Sequence, residues 1–432
     1  MSYTKRLLER ERQLGRPVRV GIVGAGQMGS GLIAQVERAK GMTVSVVADI
    51  DVQRGVGAYN RAGRQDVTVV TDLADVPALV EAGKAVVINN GLDMPHLPVD
   101  VVLEVSGVPE IAAQIALASL FAKKDVALMT VEADITVGRF LTAVAESGQS
   151  VYTICRGDEP VEALKLVEYA EDLGLTVVSA GKGKNNPNRP YDVPADVEAE
   201  ALAKGMNPRM LCEFTDGTKT QLEMAALSNA TGFPIEKHGM HGPVASVADL
   251  ATKLIPKADG GILETNGPVV DYVVEGDVAP GVFVVIKSES DVVTHELDYL
   301  KLGKGPYYTL FRPYHLASVE AQLSIAEAVL DRRASFQTRY WTTEVTAVTK
   351  TALKAGTKLE GLGGNHFRGW AVPAAEATEA GYVAIALAAG SVLKNDVPKD
   401  HTITFADIEL DETRPLVAMR RLQDSLVARG IL

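Results

Sequence analysis

The feature that most constrains the fold is a glycine-rich turn near the start of the chain, Gly24-Ala-Gly-Gln-Met-Gly29. The short, β-branched and apolar run VRVGIV precedes this turn, and the helical pattern SGLIAQVERA follows it. A second apolar run, TVSVVAD, ends in Asp49, twenty residues beyond Gly29. A strand, a glycine turn, a helix and an acidic residue in this order form the fingerprint of a βαβ unit that binds a dinucleotide.

Each part of the turn has its own physical role. Gly24 permits the tight turn, Gly26 lets the backbone approach a pyrophosphate, and Gly29 lets the helix pack closely on the strand. Gln27 and Met28 open that helix, whose N-terminus presents free amide groups and the positive end of its dipole. All five residues are therefore expected to hold the phosphates of the cofactor.

The acidic residues after the second strand bear on the choice of cofactor. Asp49 is expected to accept hydrogen bonds from the adenosine ribose hydroxyls. Asp49 and Asp51 together favour NAD, because two carboxylates repel a 2′-phosphate. Arg54 is close enough in sequence to offset that repulsion, so NADP stays open.

The same alternation of strands and helices continues to about residue 150. It predicts a doubly wound α/β sheet of the Rossmann type. Loops at the strand ends should line the cofactor cleft, and they contain Ser106, Gly107 and Glu132. The runs concerned are the strands AVVIN (85–89), DVVLEVSG (100–107) and DVALMTVEA (125–133), with the helices PEIAAQIALASLFA and DITVGRFLTAVAESG.

Length and charge limit the classes of protein that the chain can belong to. A chain of 432 residues predicts two or three domains. The net charge of −12 argues against nucleic acid and anionic membranes as partners. Cys155 and Cys212 lie in no CxxC pair, which predicts free thiols. The longest apolar run, 383–393, is shorter than the roughly 20 residues of a membrane span, and a cytoplasmic location is expected.

A basic segment in the middle of the chain, SAGKGKNNPNRP (179–190), follows the apolar run LTVVSA. Its prolines forbid a helix, so it is not a P-loop. The pattern predicts a strand-end loop in which Lys182, Lys184 and Arg189 bind a carboxylate or phosphate of a small substrate. The alternative is a basic surface loop without a ligand.

Further along, TDGTKTQLEMAALSNATG (215–232) predicts a helix that begins at Thr215 or Asp216. Helical spacing places Asp216, Lys219 and Glu223 on one face, which becomes small and apolar beyond Glu223. A lysine between two carboxylates can act as a general acid toward a carbonyl group, with the carboxylates orienting it. A simple ladder of salt bridges on the helix surface is the alternative.

Histidines give weaker signals. Tyr314 and His315 in FRPYHLASVE precede a helix, where polar side chains often line a cleft, although a lone histidine is also commonly structural. His238 and His241 have the spacing of weak metal ligands, but no cluster of carboxylates or cysteines in the sequence accompanies them. No metal site is predicted.

Several segments together resemble the homoserine-dehydrogenase-like oxidoreductases, and more closely the branch that contains the deoxyxylulose-phosphate reductoisomerase-like enzymes. The resemblance extends over nearly the whole chain. The glycine turn is generic, whereas AGKG and DGTK…EMA..NATG are specific to the branch. The matching segments are RPVRVGIVGAGQMGS, MTVEAD, GDEPVEALKLVEYAEDLGLTVVSAGKG, DGTKTQLEMAALSNATG and RPYHL.

The resemblance implies three domains and a homodimer or a higher homo-oligomer. These are a Rossmann domain (1–150), a central α+β catalytic and dimerisation domain (151–335), and a β-rich domain similar to SAF modules (336–432). It also implies NADPH as the cofactor. The reaction implied is rearrangement of 1-deoxy-D-xylulose 5-phosphate followed by hydride transfer.

Two departures argue against homoserine as the substrate. Homoserine dehydrogenases have a lysine after the fifth strand, where this chain has Glu132. Their second catalytic lysine follows an aspartate, and Asp216 with Lys219 is a similar but not identical arrangement.

These patterns predict an NAD(P)-dependent oxidoreductase for a small anionic hydroxy or keto compound, such as a sugar phosphate or sugar acid. Lys219 would polarise the carbonyl, supported by Asp216, Glu223 and Lys182. The alternative is a non-catalytic sensor that binds NAD(P) and carries a carbohydrate-binding SAF-like module. The expected substrate-binding residues are Lys184, Arg189, Asn229, Tyr314 and His315.

Overall fold

The computed structural model describes residues 1–432, in which fifteen strands form. In chain order they are β1 (Val18–Val23), β2 (Met42–Ala48), β3 (Val67–Val69), β4 (Ala85–Ile88), β5 (Val101–Glu104), β6 (Asp125–Leu128), β7 (Tyr152–Ile154), β8 (Thr176–Lys184), β9 (Val269–Val274), β10 (Val282–Lys287), β11 (Tyr307–Arg312), β12 (Thr343–Thr349), β13 (Phe367–Pro373), β14 (Val392–Leu393) and β15 (Ile408–Glu409).

The α-helices alternate with the strands in the first half of the chain. None of them combines the length and apolarity that crossing a membrane requires. In chain order they are α1 (Tyr3–Leu14), α2 (Gln27–Arg38), α3 (Val52–Arg61), α4 (Val76–Glu81), α5 (Pro109–Phe121), α6 (Val131–Gly148), α7 (Glu159–Asp172), α8 (Pro194–Ala203), α9 (Pro208–Thr215), α10 (Thr218–Thr231), α11 (Leu250–Lys253), α12 (Asp291–Tyr299), α13 (Ala317–Ala326), α14 (Ala374–Ala380), α15 (Ile385–Ala388) and α16 (Pro415–Ala428).

The chain forms two compact units, each assembled from separate segments. The first unit contains 1–158, 316–337 and 414–432, and the second contains 159–315 and 338–413. The domain boundaries expected from the sequence stay a prediction, as does the SAF-like character of the C-terminal part.

The first unit contains a seven-stranded sheet with the order β3-β4-β2-β1-β5-β6-β7. Every pairing in it is parallel. This confirms the α/β doubly wound fold expected from the sequence. The strand order reverses between β1 and β5, and in such sheets ligands bind in the crevice beyond the carboxyl ends of the strands at that point.

Apolar side chains of the first unit form a core around β1 and α2. Ile22 on β1 and Leu32 and Ile33 on α2 are fully buried. Helix α13, from a later segment of the chain, adds Ala321 and Ile325 to the same cluster. Short β-branched strands with both faces covered are the pattern expected of a parallel sheet.

One strand of this sheet is shorter than its sequence pattern indicates. The run DVALMTVEA predicted a strand over 125–133, but β6 ends at Leu128 and α6 begins at Val131. The first turn of α6 contains Glu132 and Asp134. Acidic side chains stabilise a helix N-terminus, and this local preference ends the strand early.

The second unit is built on a mixed sheet with the order β11-β10-β8-β9. Its central strand β8 is parallel to β9 and antiparallel to β10. The prediction of a loop from Gly181 onward was wrong for its first part, because β8 continues to Lys184. Lys182 lies opposite both Tyr272 and Val282, so pairing on both sides keeps these residues extended.

Helix α10 begins later than the sequence indicated. The predicted start was Thr215 or Asp216, but Thr215 ends α9 and α10 begins at Thr218. Gly217 separates the two helices with a φ of 90°, a left-handed conformation that glycine adopts without strain. Asp216 therefore lies outside the helix that contains Lys219 and Glu223.

Gly181 gives a test of the packing of the second unit. A β-carbon at this position would lie 1.7 Å from the Asp271 carbonyl oxygen. We expect Gly181→Ala to lower the free energy of unfolding by about 3 kcal/mol, because β8 and β9 would have to separate. Urea titrations should show little change for Gly267→Ala, where the nearest atom would lie at 3.6 Å. Equal stability of the two variants would contradict the pairing.

Candidate functional site

A cluster of buried charges in the second unit consists of one lysine between two carboxylates. Lys182 on β8 donates a hydrogen bond to Glu159 Oε1 at 2.8 Å. The same ammonium group donates to Glu223 Oε2. Glu159 opens α7 and Glu223 lies in α10, so one strand and two helices each contribute one charge to this cluster. All three side chains are at least nine-tenths buried.

Burial and mutual attraction set the protonation of this cluster. Burial by itself would raise the pKa of Glu159, but the charges of Lys182 and His315 lower it to about 2. Burial would lower the pKa of Lys182, and the two carboxylates raise it instead. Burial and the charge of Glu159 raise the pKa of Glu223. Glu223 is therefore the carboxylate that most readily takes up a proton.

Two further residues named from the sequence approach this cluster. His315 Nε2 lies 3.2 Å from Glu159 Oε1. The charge of Lys219 lowers the pKa of both Glu159 and Glu223, and its side chain is partly exposed. Four predicted residues, Lys182, Lys219, Glu223 and His315, are thus brought together.

The fifth member of the cluster, Glu159, was missed in the sequence. Its signal was the segment GDEP, in which two acidic residues precede Pro160 at the start of a helix. Acidic residues are common at helix starts for purely local reasons, so this pattern alone did not separate Glu159 from a cap.

Asp216 is paired with a different lysine. Its Oδ2 is 2.7 Å from Lys350 Nζ, and its Oδ1 accepts a hydrogen bond from the Thr218 backbone amide at 2.8 Å. Burial raises the pKa of Asp216, and Lys350 partly offsets that effect. The Asp216 side chain thus stabilises the start of α10. The helical spacing had predicted instead that Asp216 shares a catalytic face with Lys219 and Glu223.

Lys184 is held by backbone groups. Its ammonium group donates to the carbonyl oxygens of Phe214 at 2.6 Å, Asn186 at 3.0 Å and Pro187 at 3.3 Å. Burial, with help from the charge of Lys182, lowers the pKa of Lys184 to about 8. These three hydrogen bonds connect Lys184 to the 185–190 segment and to α9.

The remaining predicted substrate ligands also have protein partners. Arg189 forms an ion pair with Asp192 at 2.9 Å. Asn229 is buried, and its amide oxygen accepts from the backbone amides of Thr342 at 2.8 Å and Thr343 at 2.9 Å. Tyr314 is about half exposed. Substrate binding by these residues stays a prediction.

The two histidines singled out from the sequence each pair with a different carboxylate. His238 lies 2.7 Å from Glu376, and His241 lies 2.6 Å from Glu236. Cys155 and Cys212 are free and buried.

In the first unit, the glycine turn joins β1 to α2 as predicted. A β-carbon at Gly24 would lie 2.6 Å from the Val105 carbonyl oxygen, and one at Gly29 would lie 2.0 Å from the Gly24 carbonyl oxygen. A β-carbon at Gly26 would meet nothing within 4 Å, and Gly26 is exposed. The turn is thus tightly packed against the chain at Gly24 and Gly29, and it is open to solvent at Gly26, next to the exposed residues Gln27 and Met28.

Asp49 supports this turn from the end of β2. Its Oδ2 accepts from the Ala25 amide at 2.7 Å, and its Oδ1 accepts from the Asp51 amide at 2.9 Å. Arg54 lies 3.6 Å from Asp51, so the charge that could accept a 2′-phosphate is paired with a carboxylate.

The loop after β5 lies at the opposite side of the strand-order reversal. Ser106 is half-buried and Gly107 is exposed, while Glu132 is buried in the first turn of α6. The open position at Gly26, the first-turn amides of α2 and this loop fit a dinucleotide phosphate and its flanking sugar.

One family model matches the chain. It is described as oxidoreductase DRL, catalytic domain, and it covers residues 157–321. This range contains Glu159, Lys182, Lys219 and Glu223, as well as His315. A search of curated proteins finds no match.

Solved structures similar to this chain include dehydrogenases. A probable dehydrogenase from Thermotoga maritima has 12% identity and a TM-score of 0.42, over 73% of this chain and 90% of the other. A scyllo-inositol dehydrogenase from Lactobacillus casei has 14% identity and a TM-score of 0.39, over 68% and 76%. A myo-inositol dehydrogenase from the same organism has 15% identity and a TM-score of 0.38, over 69% and 75%.

The buried cluster predicts a pH-dependent loss of stability when its lysine is removed. Lys182→Met leaves two carboxylates without their cation, and we expect it to lower the free energy of unfolding by about 3–5 kcal/mol at pH 7. Glu159 has a pKa of about 2 in the folded chain against 4.5 ordinarily. Its stabilising contribution is therefore present above pH 4.5 and is lost as pH falls toward 2.

Urea titrations of Lys182→Met and the unaltered protein at pH 7 and pH 3 measure this effect. The difference between the two proteins should shrink at pH 3. Lys165→Met, which removes a surface pair with Glu168 at 3.0 Å, should cost less than about 1 kcal/mol at both pH values. A difference that grows at low pH would contradict the ion pairing of Lys182.

Proposed function

We propose that this chain is an NAD(P)-dependent oxidoreductase that transfers hydride to or from a small anionic hydroxy or keto compound. The observation that carries the proposal is the cluster in which Lys182 bridges Glu159 and Glu223 beside the partly exposed Lys219. The match of residues 157–321 to an oxidoreductase catalytic domain supports it. The open glycine turn supports the use of a dinucleotide.

Lys219 is the group of the cluster that we assign to the substrate carbonyl. Its side chain is partly exposed, whereas Lys182 is buried and fully engaged by two carboxylates. A dinucleotide held at the Gly24–Gly29 turn would supply or accept the hydride. During reduction Lys219 donates a proton to the carbonyl oxygen, and during oxidation the neutral amine of Lys219 takes the hydroxyl proton.

Glu223 and Lys182 serve this proton transfer. Glu223 has a raised pKa, so it can exchange a proton with Lys219 more readily than an ordinary carboxylate can. Lys182 keeps Glu159 ionised and fixes the position of Glu223. The negative Glu159 also pairs with His315, whose Nε2 lies 3.2 Å from Glu159 Oε1.

The substrate class follows from the cations of this region and from the resemblance. Lys219 and His315 are the polar groups that would attract a phosphate or carboxylate, with Lys184 and Arg189 as further candidates. The most specific version is a reductoisomerase acting on 1-deoxy-D-xylulose 5-phosphate, which the resemblance supports. NAD and NADP both stay open, and the homodimer and cytoplasmic location remain predictions.

Removing the proposed proton donor separates catalysis from binding. We expect Lys219→Ala to lower kcat at least about 100-fold, because general acid catalysis typically contributes that much, and to leave dinucleotide affinity unchanged. NADH and NADPH oxidation assays against phosphorylated ketoses and short keto acids would identify the substrate first. Lys204→Ala, which removes an exposed pair with Glu200 at 2.7 Å, is the matched control. Full activity in Lys219→Ala would remove this residue from the mechanism.

A binding-only sensor, the alternative from the sequence, makes a different prediction in the same assays. Dinucleotide would bind, but no substrate in the screen would be turned over by the unaltered protein.

The open position at Gly26 gives a direct test of the dinucleotide site. We expect Gly26→Ala to weaken binding of NADH or NADPH at least tenfold, since a methyl group would occupy the space into which the phosphate backbone fits. Its unfolding free energy should be unchanged, because nothing in the chain lies within 4 Å of the added carbon. Gly57→Ala on α3 is the control. Unchanged affinity in Gly26→Ala would place the cofactor elsewhere.

A further inference from the structure

A buried carboxyl group lies directly beneath the point where the strand order of the first unit reverses. Glu104 is the last residue of β5, and it is paired in register with Val23, the last residue of β1. Gly24 follows Val23, and the backbone of Val105 packs against it. Glu104 thus lies where the glycine turn and the loop after β5 meet, which is the crevice that binds ligands in sheets of this type.

The hydrogen bonds of Glu104 are uneven. Its Oε1 accepts from the backbone amide of Ser106 at 2.7 Å. Its Oε2 is buried and accepts no hydrogen bond of normal geometry, although the Thr130 side chain is near enough to lower the pKa of the carboxyl group. The next amide of the loop, Gly107, donates to Thr130 Oγ1 at 3.1 Å. The Ser106 and Gly107 amides of this loop are therefore held by one carboxylate oxygen and one hydroxyl group.

Stability alone does not account for a carboxyl group at this position. Glu104 is fully buried, and burial raises its pKa to about 7, with Ser106 and Thr130 offsetting part of the effect. The other titratable groups that interact with it are Glu132 at the start of α6, with Tyr152 and Cys155 from β7 and the residue after it. All three are acids, so none compensates a negative charge.

We propose that Glu104 is a positioning residue of the dinucleotide site, whose ionised form holds the Ser106–Gly107 segment in the geometry that binds the cofactor. This inference rests on the proposed function only in requiring that the chain bind a dinucleotide. It does not depend on the Lys182 cluster or on the identity of the substrate.

The direction of the pH effect follows from the strength of the hydrogen bond. An ionised carboxylate accepts a hydrogen bond from an amide more strongly than a neutral carboxylic acid does. Protonation of Glu104 therefore loosens the Ser106 amide and the loop that follows it. Dinucleotide affinity should rise as pH rises through the titration of this group.

Binding of NADH and NADPH, followed by nucleotide fluorescence between pH 5.5 and 8.5, tests the proposal without an activity assay. The variants are Glu104→Gln, which keeps an acceptor for Ser106 but no charge, and Glu104→Leu, which removes the acceptor. The control is Asp125→Asn, because Asp125 is a buried carboxylate at the opposite end of the neighbouring strand β6. Each variant is compared with the unaltered protein at the same pH, so titration of the cofactor's own phosphate cancels.

We expect the ratio of the dissociation constant of Glu104→Gln to that of the unaltered protein to depend on pH. Glu104→Gln should match the unaltered protein at pH 5.5 and bind roughly three- to tenfold more weakly at pH 8.5. Glu104→Leu should bind more weakly at both pH values, measured well below its own melting temperature so that the loss reflects positioning of the loop and not unfolding. Asp125→Asn should keep its affinity.

Two results would overturn parts of the argument separately. A flat or inverted ratio for Glu104→Gln, with tight binding by the unaltered protein, would refute the role of Glu104 and leave the proposed function intact. Failure of the unaltered protein to bind either nucleotide would refute the dinucleotide site itself.

Discussion

The second unit depends on one buried positive charge, that of Lys182. An ammonium group taken out of water costs several kcal/mol unless carboxylates compensate it, and here Glu159 and Glu223 do so from two different helices. Strand β8 and helices α7 and α10 must therefore keep a single arrangement, because any shift would leave at least one buried charge without its partner. The same constraint leaves Lys219 beside a carboxylate with a raised pKa. The need to neutralise a buried lysine thus assembles the proposed catalytic groups.

The start of α10 is held by a second, equally buried ion pair. Asp216 bonds both Lys350 and the first amide of the helix, and Thr218 Oγ1 accepts from the Gly369 amide at 2.8 Å. These contacts determine the direction in which α10 presents Glu223. The aspartate that helical spacing placed in the reacting face thus supports that face from outside.

In the first unit, backbone geometry determines the shape of the proposed dinucleotide site. Close contacts below Gly24 and Gly29 fix the turn, and the open space at Gly26 leaves room for a ligand. Asp49 and Glu104 each hold one backbone segment on either side of the strand-order reversal. Both carboxylates satisfy amides that the turns would otherwise leave without partners.

The sequence by itself determined the parallel sheet, the glycine turn followed by Asp49, and a helix that contains Lys219 and Glu223, because these follow from local periodicity and from the backbone freedom of glycine. It also indicated Lys182, Lys219, Glu223 and His315 as residue types suited to the chemistry. Only the tertiary structure decided that β8 extends through Lys184, since strand pairing on both sides overrides the local turn residues. It likewise decided that Glu159 joins the cluster and that Asp216 does not. Those assignments depend on partners that are distant in the chain, because the role of a buried charged residue can be given only when the residue it pairs with is known.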